Sequence, residues 1–326
     1  MKHTMSERHV LVRIPASTAN LGPGFDTLGM ALSLYAWLEL SVPSGGQTVI
    51  DLYGDGLEGV PLNKTNLIYK VAQRVFDEAG VQVPELHISM YSEIPLTRGL
   101  GSSASAIVGA LVAANALIGS PLSDDRLFQI ATELEGHPDN VGASLFGGIV
   151  VSAWDGDRAE HVRLEPHADM DVLVAIPDFQ LSTEKARHAL PTEISMKDAV
   201  FNVGASSLLV AAFASGRLEL IRHAMRDRLH QPYRAGLIPG MAEILDRACE
   251  HGALGAALSG AGPTLLALVE AGSPTKRELE RFLQETLSAQ GIKSELRWLR
   301  PDAQGPIVAT SEGAPALTFM DRIKGE

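Results

Sequence analysis

The feature that most constrains the fold is a helix without a polar face. Residues Ser102 to Ile118 are nearly all small or apolar, with Asn115 in the second half. A helix that is apolar all round is buried, and this one is shorter than the roughly 20 residues that span a bilayer. The pattern therefore predicts a helix in the interior of a globular domain.

The loop before this helix, Glu93 to Gly101, predicts an anion-binding site. Gly99 and Gly101 allow backbone amides to turn inward, and the helix then begins with two serines. Several unpaired N–H groups and the positive end of the helix dipole would meet at one point, as a polyphosphate requires. An ordinary turn with a serine cap is the alternative, but the rigid helix and the adjacent Arg98 favour the anion site. Neither a Walker loop nor a dinucleotide fingerprint is present.

The segment from Pro15 to Leu32 is a second concentration of glycine and polar side chains. Ser17, Thr18, Asn20 and Asp26 alternate there with several glycines. A loop this rich in glycine lets the backbone approach a ligand closely. An Asx-rich turn between two strands is the alternative interpretation.

Two more segments carry candidate chemistry. Ala257 to Leu268 is a glycine-rich turn between two short strands, and Leu134 to Gly148 places polar side chains at the end of a helix. The polar residues of the second segment are Glu135, His137, Asp139 and Asn140. Carboxylate oxygens are natural Mg²⁺ ligands. A hydrogen-bonded structural histidine is the alternative for His137.

Composition limits the classes of function. Lys and Arg number 27 against 39 Asp and Glu, and the resulting net charge of −12 argues against a nucleic-acid partner. Cys249 is the single cysteine, so no disulfide, zinc cluster or redox pair is expected, and a reducing, cytoplasmic location fits. The first residues carry no secretory signal, and no membrane partner is expected.

The hydrophobic pattern predicts an α+β protein in two halves. A turn-rich, charged stretch, Asp155 to Asp171, is the candidate boundary between them. Strands are predicted at Val10–Ile14, Leu34–Val42, Leu86–Ser92, Gly147–Ala153, Val172–Ile176, Gly255–Leu258, Leu265–Val269 and Ser294–Leu299. Helices are predicted from the cap Asn66 to the stop Gly80, at Ser102–Ile118, after Ser123, and at Thr183–Ala189, Lys197–Ala214, Met241–Glu250 and Thr275–Gln290.

Three of these segments resemble the motifs of a known superfamily. PASTANLGPGFDTLG, PLTRGLGSSASA and LSGAGPTLLAL are similar, in this order and spacing, to the three motifs of the GHMP kinases. LEGHPDN, LSTEKARHALP and DRLHQPYRAGLIPG are similar to the homoserine kinases within it. The resemblance implies a ribosomal-protein-S5-domain-2-like ATP-binding domain over residues 1–160 and a ferredoxin-like α+β domain over 161–305. Residues 306–326 are expected to form a weakly specified tail.

The resemblance also implies an activity, its cofactors and a partner. The activity would be ATP-dependent phosphorylation of the L-homoserine hydroxyl in threonine biosynthesis, with Mg²⁺, in a homodimer. In the family the loop binds the nucleotide phosphates. Here it comprises Pro95, Leu96, Thr97, Arg98, Gly99, Leu100, Gly101, Ser102, Ala104 and Ser105, together with Ser103. The metal ligands would be Ser103, or else Ser102, and Glu135, or Glu133 if the gap is placed differently; we take Ser103 and Glu135.

The acceptor site is assigned by the same resemblance. Its residues would be Asn20, Asp26, His137, Asn140, Thr183, Arg187 and Arg234. Asn140, Asp26 and Arg187 are expected to act in catalysis, and two arginines suit a planar carboxylate. Mevalonate kinases have an aspartate, proposed as the base, where Asn140 stands. We therefore expect direct in-line transfer, with the proton leaving to a phosphate oxygen.

Three other functions were considered, and each would require a specific sequence feature. A Ser-His-Asp hydrolase would need a GxSxG elbow, which is absent. A non-catalytic metabolite-binding protein would be expected to lose the phosphate loop or the metal carboxylate. A kinase for another acceptor, such as mevalonate or shikimate, remains the alternative. Valine at Gly101 is expected to abolish ATP binding without unfolding the chain, because a Cβ there would occupy phosphate space or force an unfavourable φ.

Overall fold

The computed structural model describes residues 8–43, 45–54, 57, 59–313 and 316–325. Within this part of the chain, the strands form one seven-stranded and one four-stranded sheet. The strands are β1 (Arg8–Asn20), β2 (Gly24–Ser41), β3 (Val49–Tyr53), β4 (His87–Ser92), β5 (Ile149–Trp154), β6 (Ala159–Leu164), β7 (Met170–Pro177), β8 (Gly255–Leu258), β9 (Leu265–Glu270), β10 (Ser294–Leu299) and β11 (Ile307–Glu312). The helices are α1 (Leu67–Glu78), α2 (Ser102–Leu117), α3 (Asp124–Glu135), α4 (Asp139–Phe146), α5 (Thr183–His188), α6 (Met196–Ser215), α7 (Ile221–Ala224), α8 (Gln231–Arg234), α9 (Met241–Arg247), α10 (Lys276–Ala289) and α11 (Phe319–Lys324).

The larger sheet is built on a long antiparallel hairpin of β1 and β2. Its order is β11-β1-β2-β4-β3, and β5 pairs with β2 and β6 with β5. Only β3 and β4 run parallel among these pairs. The buried helix α2 packs across it, with Ile107, Val108 and Leu111 in one core cluster with Val12 and Leu38. The prediction of an interior helix is confirmed, because these side chains are at most 2% exposed.

The smaller sheet has helices on both faces. Its order is β10-β7-β9-β8, and all its pairs are antiparallel. Alternate residues of β7 point to opposite faces: Val172 packs with Phe213 of α6, and Leu173 with Leu283 of α10. The first cluster also holds Met30 of β2, so the core between the sheets is continuous.

Helix α6 is the one described helix long and apolar enough, by length and composition alone, to cross a membrane. Such a signal from a single helix is weak. The inner side of α6, with Leu209, Ala212 and Phe213, is buried in the core between the sheets.

The expected loop over Pro15 to Leu32 is wrong. These residues continue β1 and β2, and only Leu21–Pro23 form the turn. The glycines that suggested a loop serve close packing instead, because a Cβ on Gly29 would lie 2.0 Å from the Asp139 carbonyl oxygen. Gly29 thus lets α4 rest directly on β2.

The C-terminal residues are more ordered than the expected tail. Strand β11 pairs antiparallel with β1, and α11 packs Phe319 and Ile323 against Leu11 and Trp37. The end of the chain therefore returns to the N-terminal sheet and adds its edge strand. Residue 160, the expected domain boundary, falls inside β6, which pairs with β5 of the same sheet.

Several shorter elements were not expected from the sequence. They are β3, β6, α4, α7, α8 and the two elements of the C-terminal return. The helix predicted at Met241–Glu250 is split into α9 and a 3₁₀ turn, Ala248–His251. These elements are short, so hydrophobic periodicity has few residues in which to show itself.

Candidate active site

A cavity of about 560 Å³ lies where both halves of the chain meet. Of the residues assigned above to the nucleotide, metal and acceptor sites, those lining it are Asn20, Asp26, Leu96, Thr97, Arg98, Gly99, Gly101, Ser102, Ser103, Glu135, His137, Asn140, Thr183, Arg187 and Arg234. Four loop residues lie outside the lining, namely Pro95, Leu100, Ala104 and Ser105. The last three are buried beneath it.

The candidate phosphate loop ends at the first turn of α2. Gly101 caps the helix in the left-handed conformation, with φ of 71°, and its carbonyl oxygen accepts from the amide of Ser105 at 2.8 Å. The first three amides of the helix therefore lack a helical partner. Because α2 is buried, these amides and the positive end of the helix dipole are held rigidly at the cavity. This is the geometry that the anion-site prediction requires.

The C-terminal half holds the loop from the other side. The amide of Thr264 donates to the carbonyl oxygen of Arg98 at 3.3 Å, and Ser259 Oγ donates to that of Gly99. The guanidinium of Arg98 donates to the carbonyl oxygen of Pro177 in β7. Arg98 lines the cavity, but its guanidinium is hydrogen-bonded to a backbone carbonyl group of the smaller sheet. The loop thus spans the two halves and depends on both.

Ser103 and Glu135 lie together at the start of α2. Ser103 Oγ donates to Glu135 Oε2 at 2.9 Å. Glu133, the alternative, instead faces Arg74 and Arg126 at 3.6 and 3.7 Å. The structure therefore brings Glu135, and not Glu133, to the phosphate loop.

Asp26 and Arg187 form a two-pronged ion pair in the same cavity. The Arg187 nitrogens Nη1 and Nη2 donate to Asp26 Oδ2 and Oδ1 at 3.0 and 2.9 Å. The side chains are 38% and 36% exposed, so a ligand can reach them. The hydrogen bonds and the charge of Asp26 raise the pKa of Arg187, despite the opposing effect of burial.

Arg234 lies behind this pair and is almost completely buried. Its Nε donates to the carbonyl oxygen of Ala186, and its Nη1 to that of Gly260, both at 3.1 Å. Burial and the nearby charge of Arg187 lower the pKa of Arg234 to about 10. The guanidinium therefore remains cationic at neutral pH.

The polar residues at the start of α4 form a hydrogen-bonded chain. Asn140 Oδ1 accepts from Ser17 Oγ at 3.0 Å, which leaves the amide NH₂ as the group that can donate to a ligand. His137 Nδ1 lies 2.7 Å from Asp139 Oδ1. Burial disfavours the charged imidazole, but the hydrogen bond and charge of Asp139 outweigh it and raise the pKa of His137.

The side chain of Asn20 makes its hydrogen bonds within the protein, whereas Thr183 is open to solvent. Asn20 Nδ2 donates to the carbonyl oxygen of Gly260, and Asn20 Oδ1 accepts from the amide of Asp26, both at 3.0 Å. Thr183, at the start of α5, is exposed and lines the cavity. Asn20 thus fixes Asp26 and ties the first motif to the third.

Comparison with known proteins identifies the family. The family model described as "GHMP kinases N terminal domain" matches residues 66–148, and "GHMP kinases C terminal" matches residues 209–291. The homoserine kinase of Carboxydothermus hydrogenoformans is 47% identical over 298 residues, 91% of this chain and 96% of that protein. The chain belongs to the homoserine kinase family of the GHMP kinases.

Further comparisons agree on this homoserine kinase family and on its fold. The homoserine kinase of Moorella thermoacetica is 44% identical over 91% of this chain and 99% of its own length. The crystal structure of homoserine kinase from Cytophaga hutchinsonii superposes with a TM-score of 0.83, at 28% identity, over 92% of this chain and 97% of that one. The predicted two-domain GHMP kinase fold is confirmed, and this family member is an ATP-dependent small-molecule kinase.

Sequence reasoning missed the apolar end of the cavity in this family member. It is lined by Leu52, Leu57, Val60, Pro61, Leu67, Met90 and Ala106. Such a surface suits the base of a nucleotide. The first four residues are in and after β3, a short strand without a motif. The only nearby residue with a sequence prediction is Asn66, which was predicted to cap a helix. The structure confirms this cap, because Asn66 Oδ1 accepts from the amide of Ile68 at 2.9 Å.

Proposed function

We propose that this kinase transfers the γ-phosphate of ATP to the side-chain hydroxyl of L-homoserine and yields O-phospho-L-homoserine, a step toward threonine. The observation that carries the proposal is the juxtaposition, in one cavity, of the α2 phosphate loop and the Asp26–Arg187 pair. The relatives named above are homoserine kinases, which supports this acceptor.

The charges at the acceptor end complement an amino acid zwitterion. Arg187 and Arg234 offer guanidinium groups to a carboxylate, and Asp26 offers a carboxylate to an ammonium group. In the structure, Asp26 and Arg187 satisfy each other. A zwitterion can join the pair without leaving either charge unpaired, whereas mevalonate has no ammonium group for Asp26.

The side chains near the acceptor favour transfer without a protein base. Both oxygens of Asp26 are bound by Arg187, and Asp139 Oδ1 is bound by His137. Asn140 is an amide and cannot take a proton. We therefore assign Asn140, Asp26 and Arg187 to positioning of the acceptor for in-line attack, with the hydroxyl proton leaving to a phosphate oxygen. A loose transition state needs alignment and charge neutralisation more than a strong base.

Ser103 and Glu135 are the residues that would hold Mg²⁺. A hydroxyl and a carboxylate oxygen 2.9 Å apart are hard donors that suit this ion. No cluster of three or more His, Cys, Asp or Glu occurs in the described residues, which fits an ion that takes its other ligands from phosphate and water. When bound, Mg²⁺ would neutralise charge on the triphosphate.

An ADP-release assay with L-homoserine, mevalonate and L-serine in parallel tests the proposal. We expect release to need both Mg²⁺ and L-homoserine, and to be weak with L-serine, whose hydroxyl is one methylene closer to the ammonium group. Turnover of mevalonate but not of homoserine would overturn the acceptor assignment. ATP binding without turnover of any acceptor would favour a metabolite-binding protein.

A homodimer and a cytoplasmic location are the remaining parts of the proposal. The homodimer is implied by the family resemblance and the location by the single cysteine, Cys249, which is free in the structure. Light scattering coupled to size-exclusion chromatography tests the dimer. A mass near that of one 34.7 kDa chain at assay concentration would contradict it.

A further inference from the structure

His230 is a buried histidine outside the cavity lining, and both its ring nitrogens have partners in the acceptor region. Nε2 lies 2.8 Å from the carbonyl oxygen of Gly22, in the turn between β1 and β2. Nδ1 lies 3.2 Å from Nη1 of Arg234. The ring therefore bridges the turn between Asn20 and Asp26 to the buried arginine.

These two partners allow one protonation state. A carbonyl oxygen only accepts, so Nε2 carries the proton toward Gly22. A guanidinium only donates, so Nδ1 must present its lone pair to Arg234. Burial of the ring lowers the pKa of His230, which agrees with a neutral imidazole.

The surroundings hold the ring firmly. The buried Asp227 side chain accepts from the backbone amides of Leu229, His230 and Gln231 at 2.7 to 2.9 Å. The ring of Phe25 stacks on the imidazole with centroids 5.1 Å apart. The same Phe25 ring lies 5.4 Å from the Arg234 guanidinium carbon.

We propose that His230 is a positioning residue for the phosphoryl acceptor: through Nδ1 it orients the Arg234 guanidinium, and through Nε2 it ties that arginine to the β1–β2 turn beside Asp26. The guanidinium otherwise makes hydrogen bonds to two carbonyl oxygens, of Ala186 and Gly260. His230 supplies the third hydrogen bond of this guanidinium. Among the described residues, it is the only side chain that forms a hydrogen bond with the guanidinium. This inference rests on the proposed function, because it takes Arg234 as part of the acceptor site.

Two substitutions of His230 distinguish the contribution of Nδ1 from that of Nε2. The amide oxygen of asparagine is attached at Cγ, as Nδ1 is, so His230→Asn retains an acceptor for Arg234. His230→Gln places its amide near Nε2 and can keep the contact with Gly22, but it lacks the acceptor at Nδ1. We expect His230→Gln to raise the KM for homoserine roughly 10-fold or more, as for a lost hydrogen bond to a charged group. We expect His230→Asn to raise it less than about 3-fold, and both variants to change the KM for ATP less than twofold.

A double-mutant cycle shows whether the effect passes through Arg234. In an Arg234→Ala background, His230→Gln should raise the homoserine KM no further. The same increase with and without Arg234, or equal changes in the KM of ATP and homoserine, would overturn the proposal and leave a purely structural histidine. His161→Gln is the matched control, since His161 also stacks on aromatic rings, but on Phe128 and Phe146 rather than on the Phe25 ring that faces Arg234. It should change neither KM.

A measurement on the unsubstituted protein completes the test without an acceptor. The ¹⁵N chemical shifts of the His230 ring should show a protonated Nε2 and an unprotonated Nδ1 at neutral pH. A proton on Nδ1 would overturn the proposal even if both variants fail to fold. Absence of homoserine turnover in the unsubstituted enzyme would instead refute the proposed function, so the two failures are distinguishable.

Discussion

Asp26 and Arg187 show how single residues balance the charges of the proposed acceptor site. Each neutralises the other across 2.9 to 3.0 Å, and both remain accessible from the cavity. The proposed acceptor site therefore contains complementary charges, and these two charges are paired with each other. A buried unpaired charge would be far more costly.

Removal of the Arg187 guanidinium should weaken acceptor binding selectively. We expect Arg187→Ala to raise the homoserine KM about 10- to 100-fold, which corresponds to a charge-assisted hydrogen bond, with a much smaller effect on the KM for ATP. Arg187→Lys should recover only part of the loss, because an ammonium group cannot bind both carboxylate oxygens in the same way.

Arg126→Ala is the matched control for this experiment. Arg126 also binds both oxygens of a carboxylate, Glu78, at 2.9 and 3.0 Å, but on the outer surface of α3. It should leave both KM values unchanged. A homoserine KM within twofold of the unsubstituted enzyme in Arg187→Ala would contradict the role of Arg187.

Glu135 and Glu133 offer an internal comparison for the metal site. We expect Glu135→Gln to weaken apparent Mg²⁺ affinity roughly 10- to 100-fold and to lower kcat, because one charged ligand is lost beside the phosphate loop. Glu133→Gln should do neither, since Glu133 faces Arg74 and Arg126. Mg²⁺ titrations of turnover, and calorimetry with a non-hydrolysable ATP analogue, provide the readouts. A fully active Glu135→Gln with an inactive Glu133→Gln would reverse the assignment.

At the residue scale, the motifs predict which residues meet at one cavity but not how their side chains are bonded. Fifteen of the residues assigned to the nucleotide, metal and acceptor sites line one cavity, because motif order places them there. The hydrogen bonds that occupy Asn20, and the turn of Arg98 toward Pro177, depend on contacts between distant segments. No local pattern carries that information. Phe25 and His230, which contact Arg234, were missed for the same reason.

At the scale of elements, α2 shows where local pattern is sufficient and where it is not. Its apolar composition predicted a buried helix correctly, and its serines predicted the N-terminus within one residue. The glycine-rich hairpin was mistaken for a loop, because glycine that serves close packing of α4 on β2 looks the same in sequence as glycine in a loop. Tertiary contacts override propensity at such positions.

The structure changes the expected effect of a side chain at Gly101. A Cβ there would lie 2.1 Å from Ser17 Oγ, inside the protein, and φ is +71°. We therefore expect Gly101→Ala to destabilise the fold as well as weaken ATP binding. The cost should combine backbone strain of about 1 to 2 kcal/mol with overpacking of about 1 to 3 kcal/mol. Gly101→Val should be worse, contrary to the expectation that it stays folded.

Gly119→Ala separates the cost of backbone strain from the cost of overpacking. Gly119 also has a positive φ, of +92°, but among the described residues no atom beyond its chain neighbours lies within 4 Å of the position that a Cβ would take. The substitution should cost only the strain and leave ATP affinity unchanged. Urea denaturation and calorimetry with ATP provide the comparison. Equal free energies of unfolding for the two variants would show that the contact with Ser17 is unimportant.

At the scale of the whole molecule, the C-terminus closes the N-terminal sheet. Strand β11 covers the edge of β1, and α11 packs on the outer face. The sequence did not predict this return, because a six-residue strand and a six-residue helix carry little periodic signal, and their partners lie nearly 300 residues earlier. The two halves and the α+β class were predictable, since long strands and helices repeat their patterns many times.

Phe319 provides the test of that closure. Its side chain is 6% exposed and packs with Leu11, Trp37 and Ile323. We expect Phe319→Ala to lower the free energy of unfolding by about 3 to 5 kcal/mol. Leu317→Ala, at a side chain 58% exposed, should change it by less than about 0.5 kcal/mol. Equal stabilities in urea denaturation would mean that the C-terminal return contributes little.

Identification of the reaction product shows whether this kinase phosphorylates the side-chain hydroxyl of homoserine. The purified enzyme is incubated with Mg-ATP and L-homoserine, and the mixture is examined by ³¹P NMR and mass spectrometry. We predict one phosphomonoester on the side-chain hydroxyl of homoserine for each ADP formed, and no such product when either Mg²⁺ or homoserine is omitted. ADP formed together with free phosphate and unmodified homoserine, or phosphorylation of mevalonate in its place, would contradict it.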